Sequence, residues 1–518
     1  MFDLLITNGR IVDGGGNPWF RADLGIRGDR ITAIGRLAPA EARTRIDAGD
    51  KVVAPGFIDA HVHGDLMLLA DPWHEPAIRQ GVTTYILGQD GVAMAPASPR
   101  TLDFMRRYTA GFSGGAAVAL PQRWGSMAEY LACFERRTAL NVACLVPNGN
   151  VRLEVMGLDP RRPTADELQR MAALVREAME QGAVGLSSGL DYIPSRYADT
   201  EELIALCRAI APFGGVYVTH MRSYAPDGIL ASLDEVYRIG REAGVAVHVS
   251  HFNCQAQLGL PKIDAGRADG IDVTYDLYCY LAGSSILGMV ALPPDVQQGG
   301  IEATLARLRD PVVRGRLREH KSGARGPLEA VRLSYVAAAE YQQLEGLSLG
   351  EAVQQTGKEL MELVCDLLGA SGLAVGCIAP HLSRTQEDVR QLMQHPAMMA
   401  GSDGIFVGSR PHPRGWGCFA RYLGHHVRGD RTWRLEEAVQ RLSAHAARRF
   451  GLKDRGLLRE GMAADVVVFD PATIADLATY ENGRRPAVGV EQVVVNGELV
   501  LHNGERTKAL PGRALRRG

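Results

Sequence analysis

Residues 56–63, "GFIDAHVH", run an apolar β-like segment into two histidines, His61 and His63, spaced two apart. Alternation along a strand sends both side chains off one face. A lone histidine is more often packing than a ligand, and an isolated His-x-His pair leaves packing and metal binding equally open. The decision rests on what surrounds it. Further along come "VTTYILGQD", "LNVACLVPN", "AVGLSSG", "GVYVTHM", "VAVHVSH", "IDVTYDLY" and "AMMAGSD", all apolar and mostly β-branched. Between them lie amphipathic stretches such as "TADELQRMAALVREAMEQG", "DTEELIALCRAIAPFG" and "ILASLDEVYRIGREAG". Eight buried strands alternating with helices predict a closed parallel (β/α)8 barrel. An open doubly wound sheet is the competing reading, but no Gly-rich nucleotide loop follows the first strand.

The two ends of the chain read differently. Residues 1–54 and 455–518 carry short β segments separated by Gly and Asp turns, which predicts one small β-sandwich domain built from both termini. The barrel is then expected over 55–454. Roughly 120 residues separate "VTYDLY" from "AMMAGSD", far more than one βα connection uses. This predicts an inserted subdomain over 285–396, before the last barrel strand, with helices in "IEATLARLRDPVVRGRLREH" and "SLGEAVQQTGKELMELVCDLLGAS".

At 518 residues, 46% hydrophobic and 22% charged, the composition is that of a globular enzyme. A net charge of −2 gives no electrostatic case for nucleic acid or an anionic membrane. No apolar run reaches the ~18 residues of a membrane helix, and the N-terminus lacks the pattern of a signal peptide. Eight scattered cysteines without a CxxC pair suggest reduced thiols, hence a cytoplasmic location. A homo-oligomer stays open.

The strands end in chemistry. Besides His61 and His63, "VYVTH" ends at His220, "VHVSH" at His251, "YILGQD" at Asp90 and "AMMAGSD" at Asp403. The C-terminal strand ends are the catalytic face of such a barrel. Four histidines and two carboxylates converging there are hard to explain by packing, and imidazole with carboxylate suits zinc and its neighbours.

"APGFIDAHVHGD", these strand-end histidines, "GSDG" and "GLLREGMAADVVVFDP" resemble the amidohydrolase superfamily from end to end. "GAVGLSSGLDYIPSRYADTEELIALC", "YVTHMRS", "VSHFN", "DVTYDLYCY", "HPRGWGCFARYLG" and the tail "PGRALRRG" resemble its N-acyl-D-amino-acid deacylase branch. The resemblance implies one or two divalent ions, expected to be zinc, with His61 and His63 on one and His220 and His251 on the other. Asp403 would be both a ligand and the acid/base; a turn cap in "SDG" is its bland alternative. The substrate would be a small amide, an N-acyl-D-amino acid split into a carboxylate and a free amino acid. Hydrolysis of a cyclic amide or imide is the nearest alternative, although the lysine that many relatives carry on the fourth strand is missing from "GAVGLSSG". A non-catalytic binding protein of the same fold is the alternative from another class.

Two departures from the branch stand out. Gly88-Gln89-Asp90-Gly91 puts Asp90 where the branch has a cysteine ligand, so Asp90 reads as a bridging or shared ligand, or else as a turn aspartate. Ser250-His251-Phe252-Asn253 replaces a lysine by Asn253, which weakens any expectation of an acidic D-amino acid. Arg222 is a candidate fork for a substrate carboxylate, against a structural salt bridge. Tyr192, Tyr278 and Ser284 are pocket candidates that equally suit packing or turns. His412, in "SRPHPRGWG", is read first as loop-stabilising and second as reaching the site.

Overall fold

The computed structural model describes residues 1–121, 123–320, 322–323 and 326–518. Eight parallel strands form the barrel: Phe57–Asp59, Val82–Leu87, Asn141–Cys144 continued as Val146–Pro147, Gly185–Gly189, Val216–His220, Ala246–Val249, Val273–Leu277 and Met398–Ala400. The third strand pairs with the second through its first half (Cys144 opposite Leu87) and with the fourth through its second half (Val146 opposite Leu186). The ring closes where the Ala60 N–H donates to the Ala400 carbonyl at 3.2 Å and Val62 bridges Gly404 in parallel. Strands such as Val82–Leu87 and Val216–His220 are buried at every residue, which is why they read as unbroken apolar runs. Ile58, Ile86, Leu145, Val184, Val218 and Met399 pack with Phe450 and Leu452 in a cluster of their own.

The helices follow from local signals. Thr164 and Glu167 make a reciprocal capping box at the start of Ala165–Glu180, and Asp199 caps Thr200–Ile210 by accepting from the Glu202 N–H. Gly244, at φ 68°, ends Ile229–Ala243 in the left-handed conformation. No described helix is long and apolar enough to cross a membrane.

Strands from both ends of the chain share one nine-stranded sheet, in which Val52–Pro55 lies between Phe2–Ile11 and Val466–Phe469. It folds over a cluster including Leu4, Ile26, Val53, Val466 and Val494. Between the seventh and eighth barrel strands the expected helices are each broken in two, at Asp310 before Pro311 and at Gly357. The same region holds an antiparallel sheet that helical periodicity did not reveal, with Val375–Pro380 between Ala282–Ile286 and Arg332–Val336.

Candidate active site

The first strand stops at Asp59, earlier than its apolar pattern suggests, so both histidines lie beyond it. They share a face because Val62 between them bridges Gly404 and the His63 N–H donates to the Gly404 carbonyl at 3.0 Å. The Asp403 N–H donates to the His61 carbonyl at 2.8 Å, so the first and last strand ends are stitched together where the chemistry sits. His220 is the last residue of its strand, and His251 lies two residues past Val249.

Asp90 occupies the middle. Its carboxylate oxygens lie 3.6 Å from His61 Nε2, 3.5 Å from His63 Nε2, 3.6 Å from His220 Nδ1 and 3.6 Å from His251 Nε2. The turn that delivers it is demanding. Asp90 itself has φ 55°, between Gly88 at 81° and Gly91 at 63°, and a Cβ on Gly88 would stand 2.4 Å from the Leu145 carbonyl oxygen. Gln89 anchors the turn by donating to the Ala60 and Ile86 carbonyls, both at 2.9 Å. His251 (φ 32°) and Asp403 (φ 50°) are also left-handed, so three of the six candidates hold backbone conformations that cost energy and concentrate at functional sites.

Asp403 Oδ1 is 3.3 Å from His63 Nε2 and 3.8 Å from His61 Nε2, while Oδ2 is 2.9 Å from Nη1 of the fully buried Arg414. His220 Nδ1 and His251 Nε2 are 3.0 Å apart, converging on one point. Behind these rings stand further carboxylates. Asp191 is 3.3 Å from His220 Nε2. Asp276 is 3.4 Å from His61 Nδ1 and 3.0 Å from His248 Nε2, and it accepts the His251 N–H at 2.8 Å. Carboxylates behind imidazole ligands fix ring orientation and tautomer.

The electrostatics ask for a cation. Burial opposes ionisation of Asp90, but His61, His220 and His251 outweigh it and hold the carboxyl well below its ordinary value. For Asp403 burial is again outweighed, chiefly by Arg414 and then His63. Burial also works against protonated imidazole, yet Asp276 and Asp90 drive His61 well above 6.5, and Asp191 with Asp90 pushes His220 up to about 9. Both ring nitrogens of His61 and Oδ1 of Asp90 are buried without a hydrogen-bond partner among the described residues. Ligand atoms of His61, Asp90 and His251, and again of His61, His63 and Asp403, lie within 4.8 Å of one another. An imidazole–carboxylate set of this density fits a divalent ion of the zinc type.

The six expected ligand positions thus come together, whereas the expected substrate contacts divide. His220, His251, Asn253, Arg222 and Asp191 line a cleft of about 370 Å³ with Tyr224, His381 and Leu382. Arg222 is committed to Glu235 through Nε and Nη2, at 2.8 and 3.0 Å, and to the Ala198 carbonyl. Asn253 donates to the Tyr278 hydroxyl at 2.7 Å and accepts from Arg384 at 2.6 Å; the Tyr278 hydroxyl also meets His381 Nε2 at 2.9 Å. Tyr192 lies edge-on to His220 and bonds Ser285 Oγ at 3.2 Å. The Ser284 hydroxyl donates to the Cys377 carbonyl inside the inserted sheet. His412 is fully buried, with Nε2 on the Ala282 carbonyl and Nδ1 accepting the Arg414 N–H, which orients the loop that delivers Arg414.

Sequence reasoning missed Asp276, Asp191, Arg384 and Arg414. Asp276 had a signal, an acid inside the apolar run "VTYDLY". Asp191 and Arg414 lay within quoted motifs without standing out, and Arg384 sits in the insertion with nothing local to mark it.

The chain belongs to the amidohydrolase family, whose model matches residues 44–501. It is 38% identical to a D-aminoacylase from Alcaligenes xylosoxydans xylosoxydans, over all of this chain and 98% of that one. An N-acyl-D-glutamate deacylase from the same organism is 36% identical, over 99% of this chain and 96% of that one. Among solved structures, the N-acyl-D-glutamate deacylase of Bordetella bronchiseptica, complexed with zinc and a phosphonate mimic of the tetrahedral intermediate, superposes with a TM-score of 0.84 at 34% identity, covering 99% of each chain.

Proposed function

We propose that this chain is a metal-dependent amidohydrolase that deacylates N-acyl-D-amino acids, releasing a carboxylate and a free amino acid. The observation that carries the reading is the convergence of four histidines on Asp90 at the mouth of the barrel, with Asp403 beside two of them, next to an open cleft. Full-length similarity to deacylases of this substrate class supports it.

One or two divalent ions, zinc first among them, would be held by His61, His63 and Asp403 and by His220 and His251, with Asp90 shared. Bound there, such an ion acidifies water and polarises a carbonyl. The rest falls to the chain. Arg414 fixes Asp403 Oδ2, so Oδ1 faces the reacting side beside His63. Asp403 takes the proton of the attacking water and returns it to the departing nitrogen, without which an amine leaves poorly. Asp276 and Asp191 hold His61 and His220 from behind. Asn253 offers its amide at the cleft wall for the substrate carboxylate, held from behind by the buried Tyr278 hydroxyl and Arg384 guanidinium. Arg222, Tyr192, Ser284 and His412 act as supports of that wall.

We also read 1–54 with 455–518 as one domain, 55–454 as the catalytic barrel and 285–396 as its insertion. A reducing cytoplasmic setting suits eight scattered cysteines without a CxxC pair. The test is a panel of N-acyl D- and L-amino acids beside cyclic imides, with ninhydrin detection and the metal varied. Activity confined to the cyclic compounds overturns the substrate assignment.

A further inference from the structure

The strongest unexplained cluster outside the barrel mouth is "YLGHHVRGD", residues 422–430, where the chain forms a π-helix over Tyr422–Gly429. Wide helical turns of this kind are rare and recur at functional sites. Here the turn sets the rings of His425 and His426 with centroids 4.7 Å apart and brings Asp430 to both. His426 Nδ1 is 3.1 Å from Asp430 Oδ2, and His425 Nε2 is 3.7 Å from the same oxygen. One ligand atom from each of the three lies within 4.8 Å of the others. Among the described residues only three such groups exist, and the other two are those at the barrel mouth.

The carboxylate is pre-set. Asp430 Oδ1 accepts from the Thr432 N–H at 3.1 Å and from its hydroxyl at 2.7 Å, which leaves Oδ2 for the two imidazoles. The Asp430 N–H donates to the His425 carbonyl at 2.8 Å, and the Trp433 N–H to the His426 carbonyl at 3.2 Å, so the backbone between the three is closed on itself. His426 is 1% exposed and locked, whereas the His425 side chain is 46% exposed and gives entry from solvent. Neighbouring positive charge is already taken up. Arg421 pairs with Asp476 at 3.1 Å, and Arg428 is turned to the Pro471 carbonyl.

We propose that His425, His426 and Asp430 form a second, surface metal site that takes a divalent transition-metal ion, separate from the ions of the barrel mouth. Two imidazoles and one carboxylate with open positions suit zinc and, more tightly, copper. The site lies against the body of the barrel, because the His426 and Tyr422 rings have centroids 6.3 Å apart and the Tyr422 hydroxyl donates to the Leu277 carbonyl.

The protein as purified is dialysed against Zn²⁺ and, separately, Cu²⁺, and bound metal is measured for wild type, His425→Ala and Asp430→Asn. Each variant is expected to hold about one equivalent per chain less than wild type, with the hydrolytic rate unchanged. Added Zn²⁺ is expected to raise the melting temperature of wild type more than that of His425→Ala, whose exposed side chain makes folding insensitive to its loss. Equal metal content in wild type and His425→Ala overturns the proposal, whatever Asp430→Asn shows.

Discussion

Asp90→Asn keeps the volume at position 90 and removes one negative charge from the point where four imidazoles meet. The left-handed backbone there tolerates asparagine, so the turn survives. Asp90 is 1% exposed, and its oxygens sit 3.5–3.6 Å from four ring nitrogens. At that spacing a unit positive charge and a carboxylate attract by about 4–5 kcal/mol with an effective dielectric of about 20. That corresponds to about three orders of magnitude in an association constant. An amide oxygen recovers part of it, so the expected loss in cation affinity is about 10²–10³-fold. The assay is chelator competition with a zinc indicator, alongside metal content and turnover at saturating substrate. Asp90→Cys restores a negative ligand and is expected to recover binding, with a shift toward softer metals. If Asp90→Asn keeps wild-type metal content and turnover under competition, Asp90 is a turn residue and the shared-ligand argument fails.

Arg414→Met is expected to cost about 3–5 kcal/mol in denaturant unfolding, because it strands the buried Asp403 carboxylate, and to lower kcat as well. Arg152→Met breaks an equally buried pair with Glu202 that includes none of the candidate ligands, so its unfolding loss should come without a change in the turnover of folded protein. A Cβ at Gly401 would stand 2.7 Å from Asp276 Oδ1, so Gly401→Ala is expected to disturb His61 and cost about 1–3 kcal/mol, read together as lost metal and a lower melting temperature. His74 is buried against Tyr85 and Phe406, and burial, opposed by Asp71, pulls it down to about 4. Above 6.5 it is neutral folded or unfolded. As pH falls toward 4 the unfolded chain takes up a proton that the folded chain refuses, so stability drops by about 3 kcal/mol across that window. Unfolding of His74→Phe should show a shallower slope between pH 7 and 4.

The barrel was legible because its strands are buried on both faces and therefore written as apolar runs, five of them ending in residues that packing does not explain. The same ends carried His220, His251, Asp90 and Asp403. The inserted sheet was not legible. Its strand Arg332–Val336 reads "RLSYV", mixed in polarity, and the sheet pairs strands that lie far apart in sequence. Arg384 and Arg414 escaped for a related reason. Their roles depend on which chain segments the fold lays beside them, and no local pattern records that. For Arg222 the sequence kept a carboxylate fork and a structural ion pair open, and only the position of Glu235 reveals what its guanidinium holds.

The stitch between the first and last barrel strands has a consequence for biosynthesis. Asp59 accepts the Ser402 N–H across 343 residues of sequence, and Asp403 reaches His61 through the same seam. A ribosome must therefore release most of the polypeptide before His61 and His63 can meet Asp403. Until then the nascent chain carries half a reaction centre, and hydrolytic competence becomes a certificate that the ring has closed.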